Sequence, residues 1–184
     1  MKLYTALLHY PVYNKNREII VTSIVIHDIH DMARAGKTFG AKNLYIVQPF
    51  EKERAIVGRI KKFWETTGKK YNPNRNKAIE IVKLSESFEE TIADIAETEG
   101  EKPIIIGTSA QEKDARMISY DETRNFLKKD IPALIVFGTG WGLAGEALKK
   151  IDFFLPSIKG VGIFNHLSVR SAFSIVLYRL STAL

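Results

Sequence analysis

Apolar residues fall into short runs that alternate with longer stretches of helical spacing. Short apolar runs predict strands, and apolar residues that recur every three to four positions predict helices. The predicted strands are Leu3–Leu8, Leu44–Val47, Ile79–Leu84, Pro103–Ile106, Ala133–Phe137 and Asp152–Leu155. Ile19–Ile26 is predicted to be a strand or an extended lead-in to the next element. The predicted helices are Asp28–Phe39, Glu51–Thr66, Phe88–Glu99, Asp121–Lys129 and His166–Leu180. The segment Tyr71–Asn76 has turn composition and predicts a loop.

This alternation predicts an α/β protein with a mostly parallel sheet and helices on both faces. Ile104–Ile106 and Leu134–Phe137 are apolar without alternation, as expected for central strands covered on both sides. A length of 184 residues predicts one domain over 1–184. In such folds the loops after the strands bind ligands. Two of them, Gly107–Ser109 and Gly138–Gly142, have an unusual composition.

The composition excludes several classes of protein. Hydrophobic residues make up 45% and charged residues 26%, which indicates a globular chain rather than a disordered one. Without cysteine, no disulfide, thiolate nucleophile or cysteine-ligated metal is available. No apolar run approaches the ~20 residues that span a bilayer, and the first residues do not resemble a secretory signal. We therefore expect a cytoplasmic protein without a membrane partner.

The positive charge is concentrated in the basic segment Glu51–Lys77. It holds nine Lys or Arg and three Glu, which accounts for the net charge of +6 of the whole chain. A local excess of positive charge is typical of a phosphate-binding surface, although a solvated helix explains it as well. Phe63, Trp64 and Tyr71 either stack on RNA bases or form the buried side of that helix. The predicted phosphate contacts are Lys61, Lys62, Lys69 and Lys70.

Three short motifs suggest other chemistry but lack its context. Gly140–Gly145 matches G-x-G-x-x-G, yet the acidic residue required about 20 positions later is replaced by Asn165. Gly36–Thr38 resembles the end of a P-loop but stands at the end of a predicted helix rather than at its start. His27–Asp31 contains metal-ligand types without further ligands nearby, and a helix start capped by Asp28 explains it. We expect no metal site.

The remaining motifs suit a polar ligand. Gly138, Gly140 and Gly142 allow a tight turn and let the backbone approach a ligand without obstruction by Cβ. Asn165–Ser168 opens the last predicted helix with groups that donate and accept hydrogen bonds. That helix is apolar around most of its circumference, which predicts either a subunit interface or a helix enclosed in the core.

Three segments, in this order, resemble the SPOUT superfamily of knotted RNA methyltransferases. The first is Asp28–Gly40, in which Arg34 precedes an apolar-glycine pair. The second is the glycine-rich stretch Ile135–Leu143, and the third is Leu155–Arg170. The resemblance covers nearly the whole chain. It is nearest to a stand-alone branch of bacterial RNA methyltransferases related to the enzymes that methylate tRNA guanine at N1.

This resemblance implies S-adenosyl-L-methionine as cofactor, tRNA or rRNA as substrate, a deep trefoil knot at the carboxyl end, and a homodimer with composite active sites. The implied cofactor-binding residues lie in three loops and at the end of one strand. They are Gly107, Thr108, Ser109, Phe137, Gly138, Gly140, Trp141, Gly142, Ile158 and Gly160.

The resemblance also implies catalytic roles. Arg34 would contact the target nucleotide, and Asn165 and Ser168 would position it. Asp28, Asp31 and His166 are the candidates for the group that removes the acceptor's proton. Position 28 is Asp where ribose-methylating members have Asn, so base and ribose both remain possible targets. Two other functions stay open: a non-catalytic protein that binds S-adenosylmethionine and RNA, and a nucleotide-binding enzyme of doubly wound type.

Overall fold

The computed structural model describes residues 1–111 and 115–182. Its strands are β1 (Leu3–Leu8), β2 (Val12–Tyr13), β3 (Ile19–Ile20), β4 (Asn43–Val47), β5 (Val82–Ser85), β6 (Ile104–Gly107), β7 (Ala133–Gly138) and β8 (Phe153–Phe154). Its helices are α1 (Ile26–Thr38), α2 (Glu51–Glu65), α3 (Thr67–Tyr71), α4 (Pro73–Ile79), α5 (Phe88–Glu99), α6 (Tyr120–Lys128), α7 (Gly145–Lys149) and α8 (Val169–Ser181).

Six strands form one sheet in the order β5-β4-β1-β7-β6-β8, and every pairing in it is parallel. Strand β1 lies near the centre, between β4 and β7, and all six of its residues are buried. Strands β2 and β3 form a separate antiparallel hairpin. The predicted α/β class with a mostly parallel sheet is confirmed.

The two faces of the sheet support two separate hydrophobic cores. Successive side chains of a strand point to opposite faces. Accordingly, Leu7 of β1 packs in one core with Ile29 of α1, and Leu8 packs in the other with Phe88 of α5. Helices α1 and α8 therefore cover one face, and α5 covers the opposite one.

Two predicted segments differ from the structure. Only Ile19–Ile20 of the segment Ile19–Ile26 is a strand, and helix α1 already begins at Ile26. The predicted loop at Tyr71–Asn76 contains the start of helix α4, where the Asn72 side chain accepts a hydrogen bond from the Arg75 N–H at 3.0 Å. Pro73 occupies the first helical position, where a missing N–H costs nothing.

One side of helix α8 packs in the core of its own chain. Phe173, Val176 and Leu180 are each at most 3% exposed, and the Phe173 ring lies 5.0 Å from that of Phe137 on β7. These residues belong to the core of one subunit and are not available to a second one. On the other side of the helix, Val169, Ala172 and Ile175 are only partly buried and Tyr178 is 57% exposed, so the predicted subunit interface stays a prediction for that side.

Candidate functional site

Three loops leave the carboxyl edge of the sheet from neighbouring strands. They are 107–109 after β6, 138–142 after β7, and 155–168 after β8. Gly107 lies opposite Val136 of β7 and opposite Phe154 of β8. The Thr108 N–H and hydroxyl both donate to the Val136 carbonyl at 3.0 Å, which holds the first loop against β7. The loops that the sequence predicts to form one site thus start side by side.

The glycines of the turn after β7 serve different purposes. A Cβ on Gly138 would lie 2.8 Å from the Leu143 amide nitrogen, so the tight turn itself requires glycine there. Gly140 has a φ of +57°, and its Cβ would lie 2.7 Å from the Tyr13 carbonyl oxygen. Gly142 has a φ of +100°, and its Cβ would meet open space. Gly142 is therefore the position where a ligand has room to approach.

The hairpin of β2 and β3 fastens this turn. The Tyr13 N–H donates to the Gly142 carbonyl at 2.9 Å, and the Trp141 N–H donates to the Tyr13 carbonyl at 2.8 Å. The Ala144 N–H reaches the Pro11 carbonyl at 3.1 Å. These bonds use backbone groups that sequence reasoning had left free for a ligand. The indole of Trp141 stays 63% exposed beside them.

The other predicted residues mostly hold local structure within one chain. The Phe137 side chain is buried in the core, so only its backbone is available to a ligand. The Asn165 amide donates to the Ile158 carbonyl at 3.0 Å, which closes the loop around Gly160. Ser168 caps helix α8, because its hydroxyl accepts from a backbone N–H of the first turn. Ser109 makes a similar turn contact with the N–H two residues later.

The first and third predicted motifs meet through an ion pair. Helix α1 begins before Asp28, so Asp28 lies in its first turn and is not the cap. The Arg170 Nη1 of α8 donates to Asp28 Oδ1 at 2.8 Å, and Arg170 Nε lies 3.6 Å from Asp31 Oδ2. Asp28 is buried, whereas half of the Asp31 side chain is exposed. The sequence analysis did not predict this role for Arg170.

Arg34 and His166 lie outside these contacts. Arg34 is exposed on α1 and makes no hydrogen bond or ion pair with the residues that the structure describes. His166 is also exposed, and its ring lies 6.4 Å from that of Phe164. A single chain therefore joins Asp28 and Asp31 to α8 but does not bring Arg34 to the loops.

A chain of hydrogen bonds ties β1 to the glycine-rich turn. The Thr139 hydroxyl donates to the Leu8 carbonyl at 3.0 Å. The Thr22 hydroxyl lies 2.5 Å from Thr139 Oγ1 and must donate to it, because the Thr139 hydrogen is already used. His9 Nδ1, 3.0 Å from Thr22 Oγ1, must then carry the ring hydrogen. His9 Nε2 is left as a bare acceptor, buried and without a partner among the residues described.

Burial keeps His9 neutral. Desolvation lowers the pKa of His9 to about 4, although the negative charges of Asp28 and Glu53 act in the opposite direction. A lone histidine at the end of a strand forms no sequence pattern, which explains why it was missed.

The basic segment folds into α2, α3 and α4, and not all of its cations are free. The Lys61 ammonium is half-buried and donates to the Val82 carbonyl of the edge strand β5. Arg54 donates to the Gln48 carbonyl at 2.7 Å and pairs with Glu86 at 3.2 Å. The Lys61 ammonium thus already has one partner in the fold, and its predicted contact with a phosphate stays a prediction.

The aromatic residues of this segment divide between core and surface. Trp64 is 8% exposed and belongs to the core, whereas Phe63 and Tyr71 are exposed. Burial therefore accounts for Trp64, whereas stacking of Phe63 and Tyr71 on RNA bases stays a prediction.

Comparison with known proteins decides the family. A family model described as SAM-dependent RNA methyltransferase matches residues 2–182. The chain belongs to this family. This methyltransferase is 39% identical over 180 residues to an uncharacterized protein of Aquifex aeolicus (strain VF5), covering 97% of this chain and 87% of that one. It is 37% identical over 178 residues to a tRNA (guanine-N(1)-)-methyltransferase of Oleidesulfovibrio alaskensis.

The methyltransferase covers only 41% of that second relative, while 96% of its own length is matched. Among solved structures it is similar to TrmJ from Z. mobilis ZM4, with a TM-score of 0.64, 15% identity, and coverage of 98% of this chain and 69% of that one. The A. aeolicus TrmH/SpoU tRNA modifying enzyme gives a TM-score of 0.57 at 16% identity, covering 98% and 74%. The resemblance to SPOUT methyltransferases is confirmed.

The cofactor of this family is S-adenosylmethionine, which supplies an activated methyl group. An AdoMet-bound rRNA methyltransferase from Sinorhizobium meliloti shares the fold, with a TM-score of 0.57, 14% identity, and coverage of 100% of this chain and 57% of that one. The open space at Gly142 and the exposed Trp141 ring fit a flat adenosine group. The residues of this chain are therefore compatible with the cofactor.

No helix formed by residues 1–111 and 115–182 is both long and apolar enough to cross a membrane. Within the same ranges, no group of three or more His, Asp or Glu side chains is arranged to hold a metal ion.

The ion pair between α1 and α8 can be measured by a double-mutant cycle. Arg170→Met leaves the buried Asp28 carboxylate unpaired and should lower the free energy of unfolding by about 1–3 kcal/mol. The same change in an Asp28→Asn background should cost clearly less. Urea denaturation of the four proteins gives the coupling, and strictly additive losses would contradict the pairing.

The buried histidine predicts a pH dependence of stability. The pKa of His9 is about 4 when folded, against an ordinary value of 6.5, so its contribution is complete above pH 6.5 and is lost as the pH falls towards 4. The loss should reach about 2–3 kcal/mol relative to His9→Asn, which retains a donor to Thr22 but does not titrate. Denaturation of both proteins from pH 8 to pH 4 tests this, and parallel curves would refute it.

Proposed function

We propose that this methyltransferase acts on tRNA in the cytoplasm, as one catalytic domain over residues 1–184. The observation that carries the proposal is the Arg170–Asp28 pair, which joins the α1 and α8 motifs at the edge of the sheet where the three loops start. The named activity of the tRNA (guanine-N(1)-)-methyltransferase relative supports tRNA as the substrate. Since this chain spans only 41% of that relative, tRNA stays a proposal.

The chain's own groups suggest how it assists methyl transfer. The acceptor must lose a proton and must line up with the methyl group. Arg170 holds the buried carboxylate of Asp28 and thereby fixes the first turn of α1. Asp31 lies beside this pair with half of its side chain in solvent, so we assign proton removal to Asp31 and anchoring to Asp28.

Two further properties of SPOUT proteins are part of the proposal. A trefoil knot is supported by the path of the last segment, because β8 is the edge strand whereas α8 packs against α1 and β7 near the centre of the sheet. Loop 155–168 must therefore pass back across the sheet. A homodimer is supported by this same loop, which carries exposed apolar side chains: Val161, Ile163, Phe164 and Leu167.

The proposed activity is tested with methyl-labelled cofactor and unmodified RNA. We expect label in a nucleoside of tRNA and none in rRNA. Arg34→Ala should transfer the methyl group about 100-fold more slowly, because the acceptor nucleotide is no longer held in line. It should still bind the cofactor, as measured by the fluorescence of the exposed Trp141, with Trp141→Phe as the silent control. Cofactor binding without transfer to any RNA would favour a non-catalytic binding protein.

The proposed dimer is tested on the apolar loop. The double variant Ile163→Asp and Phe164→Asp should sediment as a folded monomer, because charge replaces the apolar contact. Tyr71→Asp, at an exposed aromatic on α3, is the matched control and should remain dimeric. Phe173→Asp should instead unfold the chain, since Phe173 is in the core. A monomeric parent protein at micromolar concentration, fully active per chain, would overturn the dimer.

A further inference from the structure

Helix α1 has two different flanks. It packs against α8 on one side and against α4 on the other. Towards α8, both carboxylates of its first turns are paired with Arg170. Along the remaining surface, the half-buried His30 and the exposed Arg34 and Lys37 follow one another at helical spacing and form a stripe that carries the positive charges of Arg34 and Lys37.

The stripe meets α4 through one indole ring. The His30 ring contacts Trp64 edge-on, with ring centres 5.9 Å apart and planes at 84°. The guanidinium of Arg75, at the start of α4, lies over the same indole at 5.0 Å. Trp64 is in the core, so it fixes both side chains relative to each other. Arg34 stands one turn after His30 on the same face of α1, and the charges of both Arg75 and Arg34 act on the His30 ring.

Within residues 1–111 and 115–182, neither arginine has a counter-charge. Arg54, Arg124 and Arg170 each pair with a carboxylate. No hydrogen bond or ion pair joins the side chain of Arg34 or Arg75 to residues 1–111 or 115–182. The charged groups around His30 are Arg75, Asp31, His27 and Arg34. Burial lowers the pKa of His30. The positive charges of Arg75 and Arg34 lower it further, and the negative charge of Asp31 acts in the opposite direction. The surroundings of His30 are therefore positive.

We propose that Arg75 and Arg34 form one anion-binding site that holds a phosphodiester of the substrate RNA. Planar guanidinium groups bind phosphate with two parallel hydrogen bonds, and Arg75 is already oriented by its stacking on Trp64. Arg34 lies three residues after Asp31, so a phosphate held here places its nucleotide beside the proposed proton acceptor. Arg75 is thus a positioning residue that links the basic segment to the site of methyl transfer. This inference rests on RNA being the substrate.

The matched pair Arg75→Met and Arg59→Met tests the site. Both changes remove one positive charge from the basic segment, but Arg59 is exposed on α2 and contacts no aromatic ring. Methionine keeps apolar cover over Trp64, so the fold should survive. Arg75→Met should weaken tRNA binding about tenfold and reduce the salt slope by about one unit, whereas Arg59→Met should change both much less. Arg75→Lys should recover only part of the affinity, because the planar fork is lost.

The pKa of His30 provides a second measurement. Its change on RNA binding would not be expected if Arg75 had only a structural role. In an NMR titration of the parent protein, tRNA should raise the pKa of His30, because the bound phosphate offsets the arginine charges. In Arg75→Met the pKa should already be higher without RNA, and tRNA should raise it less. Inorganic phosphate serves as the second probe. If micromolar phosphate shifts His30 and tRNA does not displace it, the site binds free phosphate, and the proposal for RNA is overturned.

The outcomes separate this site from the proposed function. Equal tRNA affinity and KM for Arg75→Met and Arg59→Met, with methyl transfer intact, would reject the site and leave the function. A specific loss of tRNA binding in Arg75→Met, in a parent protein that transfers no methyl group, would support the site and reject the function.

Discussion

The arrangement of the site depends on one ion pair between residues 142 positions apart, Asp28 and Arg170. A buried carboxylate without a partner is costly, so the position of Asp28 in the core side of α1 requires a cation from elsewhere. Arg170 supplies it from the first turn of α8. The pair thereby joins the first turns of α1 and α8, beside the apolar side of α8 that packs against α1 and β7.

This constraint divides helix α1 into two flanks with different chemistry. The flank towards α8 carries carboxylates paired with Arg170, and the surface towards α4 carries arginines that have no carboxylate partner in the part of the chain that the structure describes. Arg170 offsets one of the two negative charges on this flank, which reduces the repulsion of a phosphate held one turn away. In the proposed reaction, one flank takes the proton and the other holds the RNA backbone.

The glycine-rich turn lies where the sequence predicts it, but most of its glycines are required for a different reason than contact with a ligand. Gly138 and Gly140 are required by close contacts within the protein, with Leu143 and with the hairpin residue Tyr13. Only Gly142 faces open space. A substitution at Gly140 therefore tests the contact between turn and hairpin before it tests any contact with the cofactor. The hydrogen bonds from His9 through Thr22 to Thr139 hold the other end of the same turn.

The sequence by itself determined the α/β class, the bounds of β1, and the full extent of α5. Helix α5 was predictable because its ends are local: Ser87 accepts from the first turn, and Gly100 ends the helix with a φ of +73°. Short-range periodicity and local hydrogen bonds contain that information. The helix start at Asn72–Pro73 was predicted as a loop. Asn followed by Pro is typical of turns, but the same pair also begins a helix when the following residues pack against the protein, as those of α4 do.

Only the tertiary structure decided the partners. Lys61 bonds a carbonyl of β5, Trp64 is buried beneath Arg75, and Phe173 belongs to the core rather than to an interface. The protonated nitrogen of His9 follows from groups that lie far apart in the chain, at positions 8, 22 and 139. Which charge is neutralised and which stays free depends on distances between such groups. These distances cannot be read from hydrophobic periodicity or from spacing along the sequence, because they arise only when the chain folds.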